Sequence, residues 1–236
     1  MQSEDIINKI KSLHNPEAVA GMARFGINPD NNYGVSVTEL RKMAKEIGTN
    51  HNLAMQLWQS GIHEARIMAC LIDDPKLVTE EQMQNWVMDF DSWDICDQCC
   101  SNLFRKTEYA RQKVFEWSSV DEEFVKRAGF VLMAVLAVHD KKADDSLFEH
   151  FLPVIKAGAD DGRNFVRKAV NWALRQTGKR NLYLNSRALE TAKEIQQIDA
   201  ISARWIASDA IRELTSQAVQ DRLKARNNKN DKTKKL

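Results

Sequence analysis

Residues 124–128 read Phe124-Val125-Lys126-Arg127-Ala128, and 41 residues further on the pattern returns as Phe165-Val166-Arg167-Lys168-Ala169. A period near 40 is the length of a unit of two helices. Working outward from this pair, apolar residues recur at helical spacing along nearly the whole chain. Ile6, Ile7, Ile10 and Leu13 open a first helix, and Pro16 starts a second that ends near Gly26. Residues 26–34, with Asn-Pro-Asp-Asn-Asn inside them, read as a loop. Ser36-x-x-Glu39 is a capping box with Gly48 as its matching stop, and Ser119-x-x-Glu122 is a second box. The spacing predicts further helices over 51–59, 62–73, 80–89, 92–104, 107–117, 120–138, 145–157, 162–177, 186–197 and 200–226. No stretch alternates with period two between turn residues, so no sheet is expected.

Helices of this length with short connections suit pairs stacked in a row. The expected fold is all-α, a HEAT-like helical-repeat solenoid whose concave face binds something long. A single repeat domain is expected over 1–226, followed by a disordered basic tail over 227–236. The 236 residues are 43% hydrophobic with 9 Gly and 4 Pro, which excludes a collagen, a Pro-rich linker or a chain disordered throughout. The longest apolar run, Phe130 to Val138, is too short to span a membrane. The polar, acidic N-terminus is not a signal peptide, and four cysteines without one suit a reducing compartment. A soluble, cytoplasmic monomer is expected.

The net charge of +1 hides a segregation. Residues 222–236 hold seven bases and one acid, leaving a body of formal charge −5. From Arg163 to Leu189 there are seven bases and no acid, whereas from Asp73 to Asp97 there are eight acids and one base. Such patches suit a polyanion site and a cation-seeking site. They equally suit helix faces of opposite sign that pair with each other.

Two constellations could carry chemistry. Trp93 and Asp97 lie at i and i+4, so an indole and a carboxylate share one helical face and form a receptor for a cation. The alternative is a core tryptophan beside a solvated aspartate. Phe165, Lys168, Trp172, Arg175 and Lys179 lie along one helical stripe, where bases hold phosphates and rings meet sugar or base. The alternative places Trp172 in the core with snorkelling bases around it. The absence of acid across this stretch favours phosphate.

Several segments together resemble the AlkD-like DNA alkylation repair family: Trp93-Asp94-Ile95-Cys96-Asp97, Lys126-Arg127-Ala128, and Phe165 through Arg175. Tyr33 through Arg41, Leu57-Trp58, and Glu64, Arg66, Ala69 and Leu71 are similar to its earlier helices, so the likeness spans roughly residues 20 to 215. The resemblance implies HEAT-like repeats and a DNA glycosylase, a hydrolase of base excision repair that removes N3- and N7-alkylated purines from double-stranded DNA without metal or organic cofactor. It implies that Trp93 and Trp172 are the aromatic pair at the lesion and Asp97 the catalytic carboxylate. Arg127 would be the phosphate-contacting cation, with Lys168 and Arg175 lining the DNA groove. The chemistry is consistent with this. A cationic alkylpurine is already an activated leaving group, so a preorganised anion beside the developing oxocarbenium ion is what helps most.

Other motifs carry less. Cys96, Cys99 and Cys100 include a C-x-x-C, but no second pair completes a zinc site, so the thiols are expected to pack between helices. His139 suits a helix C-terminus, and Gly158 to Gly162 is a turn. Two rival functions use the same scaffold: a non-catalytic binder of branched or distorted DNA, and a protein-binding adaptor. Asp97 separates the enzyme from the first rival, and the acid-free run separates either DNA reading from the second.

Overall fold

The computed structural model describes residues 2–233, with side chains through residue 228. The described residues are helical, with no strand among them. They divide into two compact units, residues 1–111 and 112–236.

The first unit contains α1 (Ser3–Ser12), α2 (Pro16–Arg24), α3 (Val37–Ile47), α4 (His51–Gln59), α5 (His63–Ile72), α6 (Glu80–Met88) and α7 (Trp93–Asn102), then a 3-10 turn at Phe104–Lys106. Side-chain caps begin several of these helices. Asn15 accepts from Ala18 N at 3.0 Å, Asn50 from Leu53 N at 3.0 Å, and Thr79 from Gln82 N at 3.1 Å. Ser36 accepts from Glu39 N at 3.3 Å, but Glu39 turns to Lys42 at 3.1 Å, so only half of that capping box forms. α5 is the centre of the unit, with α3, α4 and α7 packed on it. Beside it Trp58 stacks on Trp86 at 4.0 Å between ring centres.

Glu64 of α5 carries a fully buried carboxylate. Its oxygens accept from Tyr33 N at 2.9 Å and Val35 N at 3.0 Å, which satisfies the charge and pins the end of the loop predicted over 26–34. Gly34 in that loop has φ +73°, and a Cβ there would lie 2.5 Å from the Asn15 carbonyl oxygen, so only glycine fits.

The boundary between the units falls in α8 (Ala110–Ser118). The second unit continues with α9 (Glu123–His139), α10 (Asp145–Ala157), α11 (Asn164–Gly178), α12 (Leu182–Gln196), α13 (Ile201–Leu214) and α14 (Gln217–Thr233). Two rows result. α9, α11 and α13 pack side by side, and α10, α12 and α14 pack as a second row against them. The apolar run predicted from Phe130 lies in α9, which is buried nearly all round because it touches both rows. The two copies of the opening repeat occupy equivalent places, with Phe124 stacked on Phe165 at 5.7 Å.

Three expectations need correction. Ser119 does not cap α9; its hydroxyl donates to the Glu116 carbonyl at 2.8 Å, finishing α8, and Glu122 takes the N-cap position. α12 starts at Leu182, not 186, because Asn181 caps it by accepting from Leu184 N at 2.8 Å. The helix expected over 200–226 is two helices broken at Thr215-Ser216, whose hydroxyls donate back to Ile211 and Glu213 carbonyls at 2.7 Å each. α14 is seated by buried Val219 and Leu223, and its backbone stays helical to Thr233, since extending an anchored helix is far easier than nucleating one. Residues 234–236 lie outside the described residues. No described helix is long and apolar enough to cross a membrane.

Candidate DNA-binding and catalytic residues

Trp93 is the first residue of α7 and Asp97 lies one turn further along. Both are partly exposed, whereas Asp94, Ile95 and Cys96 between them are buried. The helix therefore turns the Trp93–Asp97 side toward solvent and the other side into the unit. Trp93 is not a fully buried core tryptophan.

The start of α7 is held from several directions. The Trp93 indole Nε1 donates to the Phe25 carbonyl at 3.1 Å, and Asn28 donates to the Ser92 hydroxyl at 2.9 Å and to Asp91 at 2.7 Å. Asp94 pairs with Nε2 of His63 at 2.9 Å, and His63 is only 3% exposed. Burial pulls the His63 pKa down, but the Asp94 bond and the charges of Asp94, Glu64 and Asp91 carry it above the ordinary value. The loop of residues 25–34 and the His63–Asp94 pair thus hold the start of α7, which carries Asp97 one turn further on. Sequence reasoning missed these supports. Asp94 and His63 stand 31 residues apart, and no short motif joins them. Phe25, 74% exposed and bonded through its carbonyl to the Trp93 indole, carries no sequence signal, because a lone aromatic after a helix has no pattern.

The cysteines pack as expected. Cys70, Cys96, Cys99 and Cys100 are buried free thiols. Burial pushes Cys99 and Cys100 well above the ordinary thiol value, which keeps them unreactive. Among the described residues no group of His, Cys, Asp or Glu is placed to hold a metal ion.

In the second unit the predicted stripe lies along α11. Phe165 and Trp172 are partly exposed and Lys168 is exposed, with no ion pair among the described residues. Arg127, expected at a phosphate, is 5% exposed; its guanidinium donates to the Phe165 carbonyl at 2.6 Å and so steadies the first turn of α11. The C-terminal half of the stripe is not a bare row of cations. Arg175 pairs with Glu213 and with Asp209, the latter at 3.4 Å, and Lys179 pairs with Glu213 at 2.5 Å. Burial pushes the Glu213 carboxyl up, but the bonds and charges of Lys179 and Arg175 hold it below the ordinary carboxylate range. The stretch of α11 is free of acid in sequence only; α13 supplies the acid in space. Elsewhere in the same run Arg163 is paired to Asp161 at 2.6 Å, Arg187 to Glu149 at 3.5 Å, and Arg167 lies over the Trp205 ring at 5.2 Å. The acidic run of the first unit is likewise spent internally: His51 pairs with Asp73 at 2.7 Å, and the Trp58 indole donates to Asp89 at 2.8 Å.

The chain is similar to known proteins over most of its length. The family model described as DNA alkylation repair enzyme matches residues 6–214. The uncharacterised protein Lin0241 of Listeria innocua is 22% identical over 200 residues, covering 83% of this chain and 87% of the relative. The uncharacterised protein Lmo0209 of Listeria monocytogenes matches to the same extent, 22% over 200 residues. A solved structure superposes with a TM-score of 0.75 at 19% identity, covering 90% of this chain and 95% of its own. It is described as a new family of proteins related to the HEAT-like repeat DNA glycosylases with affinity for branched DNA structures. At that identity the likeness is one of fold: the helix pairs of this chain are HEAT-like repeats.

Proposed function

Because this chain belongs to the DNA alkylation repair enzyme family, we propose that it is a DNA glycosylase releasing cationic N3- and N7-alkylated purines from duplex DNA. The observation that carries this reading is the partly exposed Trp93–Asp97 pair on one side of α7, held by an anchored helix start. Alkylation at N3 or N7 puts positive charge on the base and weakens its glycosidic bond. As the bond breaks, the charge passes to the sugar. A fixed carboxylate close to that sugar lowers the barrier without having to protonate the leaving group. Asp97 is assigned that role, together with positioning the attacking water. The indole face of Trp93 would hold the cationic nucleotide by cation–π attraction.

In the second unit Trp172 and Phe165 are assigned ring contacts, and Lys168 a phosphate contact. Arg127 supports this face by holding the Phe165 carbonyl. Arg175 and Lys179 contribute less than their number suggests, because Glu213 and Asp209 cancel much of their charge.

A second reading has its own support. The solved structure of the same fold is described as having affinity for branched DNA, so a binder without base release is the rival. The experiment incubates the purified chain with DNA treated with a methylating agent and follows free 7-methylguanine and 3-methyladenine with time. Release is expected from the natural protein, and Asp97→Asn should reduce it by about 10²–10³-fold while leaving DNA affinity in place. Tight binding to a four-way junction with no release of either base would remove the enzyme and leave the binder.

A further inference from the structure

A cleft of about 820 Å³ opens in the second unit, away from the exposed rings of α11. Its walls are the end of α9 with the turn into α10, the last turn of α11, and one face of α14. Five cations, Lys141, Lys179, Arg180, Arg222 and Arg226, line it against one carboxylate, Asp145.

Part of this charge has a structural task. Arg180 donates to the Ala137 and Asp140 carbonyls at 2.9 Å each and lies over the Phe148 ring at 3.7 Å, so it closes the end of α9. Lys179 pairs with Glu213, and Asp145 accepts from Asn181 at 2.9 and 2.8 Å. Lys141, Arg222 and Arg226 remain. All three are exposed and none has an acid partner among the described residues. Arg222 and Arg226 stand one turn apart on α14, where like charges repel. The Lys141 ammonium is pushed below its ordinary value by burial and by the charges of Arg226 and Arg180. Helix capping accounts for Arg180, and Arg226 also helps to close the end of α11 by donating to the Lys179 carbonyl at 3.1 Å; Lys141 and Arg222 have no such task, and Arg226 keeps its charge uncancelled.

We propose that this cleft binds the phosphodiester backbone of DNA, as an anchoring site separate from the one that would hold the damaged base. This rests on the reading that the chain binds DNA. The lining contains no aromatic ring, so nothing is present to grip a nucleotide's base, whereas several cations along an open cleft suit successive phosphates. Location agrees. Lys168 lies on α11 and Lys179 is the residue that caps its C-terminal end, and the rise between them is about 16 Å, roughly five base-pair steps of a duplex. One duplex can therefore meet both. Exposed Lys224 extends the same basic character along α14.

The test compares the full chain with the variant Lys141→Gln/Arg222→Gln/Arg226→Gln on a lesion-free duplex of about two helical turns, titrated across about 50 to 200 mM KCl. Loss of three phosphate contacts should make the slope of log K against log salt shallower by about 2–3 and weaken binding at least about tenfold at the lower salt. A slope within about 0.5 of the natural protein's overturns the proposal. If the melting midpoint shows that the triple variant is poorly folded, Lys141→Gln alone, on an exposed turn, should change the slope by about 1, and no change overturns the proposal equally.

Tripolyphosphate in a calorimeter separates the source. Binding of it that the triple variant abolishes, with the DNA slope unmoved, would assign the cleft to a free polyphosphate and overturn the DNA reading. A natural protein that releases no base but shows the slope difference would lose the glycosylase reading and keep this one.

Discussion

Replacing Glu213 by glutamine tests whether the basic stripe of α11 faces DNA. One carboxylate serves two cations: it pairs with Arg175 and lies 2.5 Å from the Lys179 ammonium. The substitution leaves Arg175 with Asp209 at 3.4 Å and leaves Lys179 with no acid partner among the described residues. Two opposite effects follow. Freed cations can neutralise one further phosphate, so the slope of log K against log salt should steepen by about 1, with tighter binding at low salt. Stability should fall. The Glu213 side chain is 29% exposed, between the regime of exposed pairs and that of buried ones, so a loss of about 1–2 kcal/mol is expected. That corresponds to a midpoint lowered by about 2–8 °C for a chain of this size. Acid should separate the two proteins further. The Glu213 carboxyl is held below its ordinary value in the folded state, so its stabilisation is complete above about pH 4.3 and is lost as pH falls toward the folded value. The glutamine variant lacks this loss, and its midpoint should vary less with pH in that range. Anisotropy titrations at several salt concentrations and calorimetric scans read both effects. A Glu213→Gln protein with lowered stability but unchanged DNA affinity and slope would show that Arg175 and Lys179 hold helices together and meet no phosphate.

Two further outcomes follow from the packing. Gly129→Ala places a Cβ 2.5 Å from the Ser118 amide nitrogen and 3.0 Å from two more backbone atoms; backbone cannot yield as a side chain does, so a loss of about 1–3 kcal/mol is expected, and an unchanged melting midpoint would mean that α8 and α9 can separate freely. His63, observed by NMR, should titrate above about pH 6.5 because Asp94 and the charges of Glu64 and Asp91 outweigh its burial; the stabilisation it provides should be full below that pH and decline as pH rises through the folded value, whereas titration below it would mean that the pair does not form.

The sequence shows the helices better than their ends. Nearly every predicted helix is present, since amphipathic spacing is written into each segment by itself. Ends depend on competition. Ser119 can cap the helix that follows or finish the one before, and its bond to Glu116 O decides for the latter. Thr215 and Ser216 break a continuous apolar pattern through bonds to the preceding turn, a choice that period alone does not reveal. For the candidate site, the Trp93–Asp97 pair is legible because i and i+4 share a face on any helix. Its supports, Phe25 O, Ser92, Asp91 and the His63–Asp94 pair, come from three separated segments and are visible only in the fold.

The charge pattern explains the largest difference between sequence and structure, and the repeat supplies the reason. Asn171 meets Asp209, Arg175 meets Glu213 and Lys156 meets Glu194, each 38 residues apart. Arg180 reaches the Ala137 carbonyl at a separation of 43, and Asn181 reaches Asp145 at 36. In the first unit Tyr33 meets Glu64, Trp58 meets Asp89 and His63 meets Asp94, each 31 residues apart. Polar partners in a stacked array therefore stand about one repeat away. The acid-free run of α11 and the first residues of α12 spans 27 residues, less than one period, so a window of that length contains cations and misses the acids assigned to them. In such an array a charge run signals a polyanion site only where the next repeat leaves it uncancelled. By that criterion Lys168 and the Lys141, Arg222 and Arg226 set qualify, while Arg175 and Lys179 do not until Glu213 is removed.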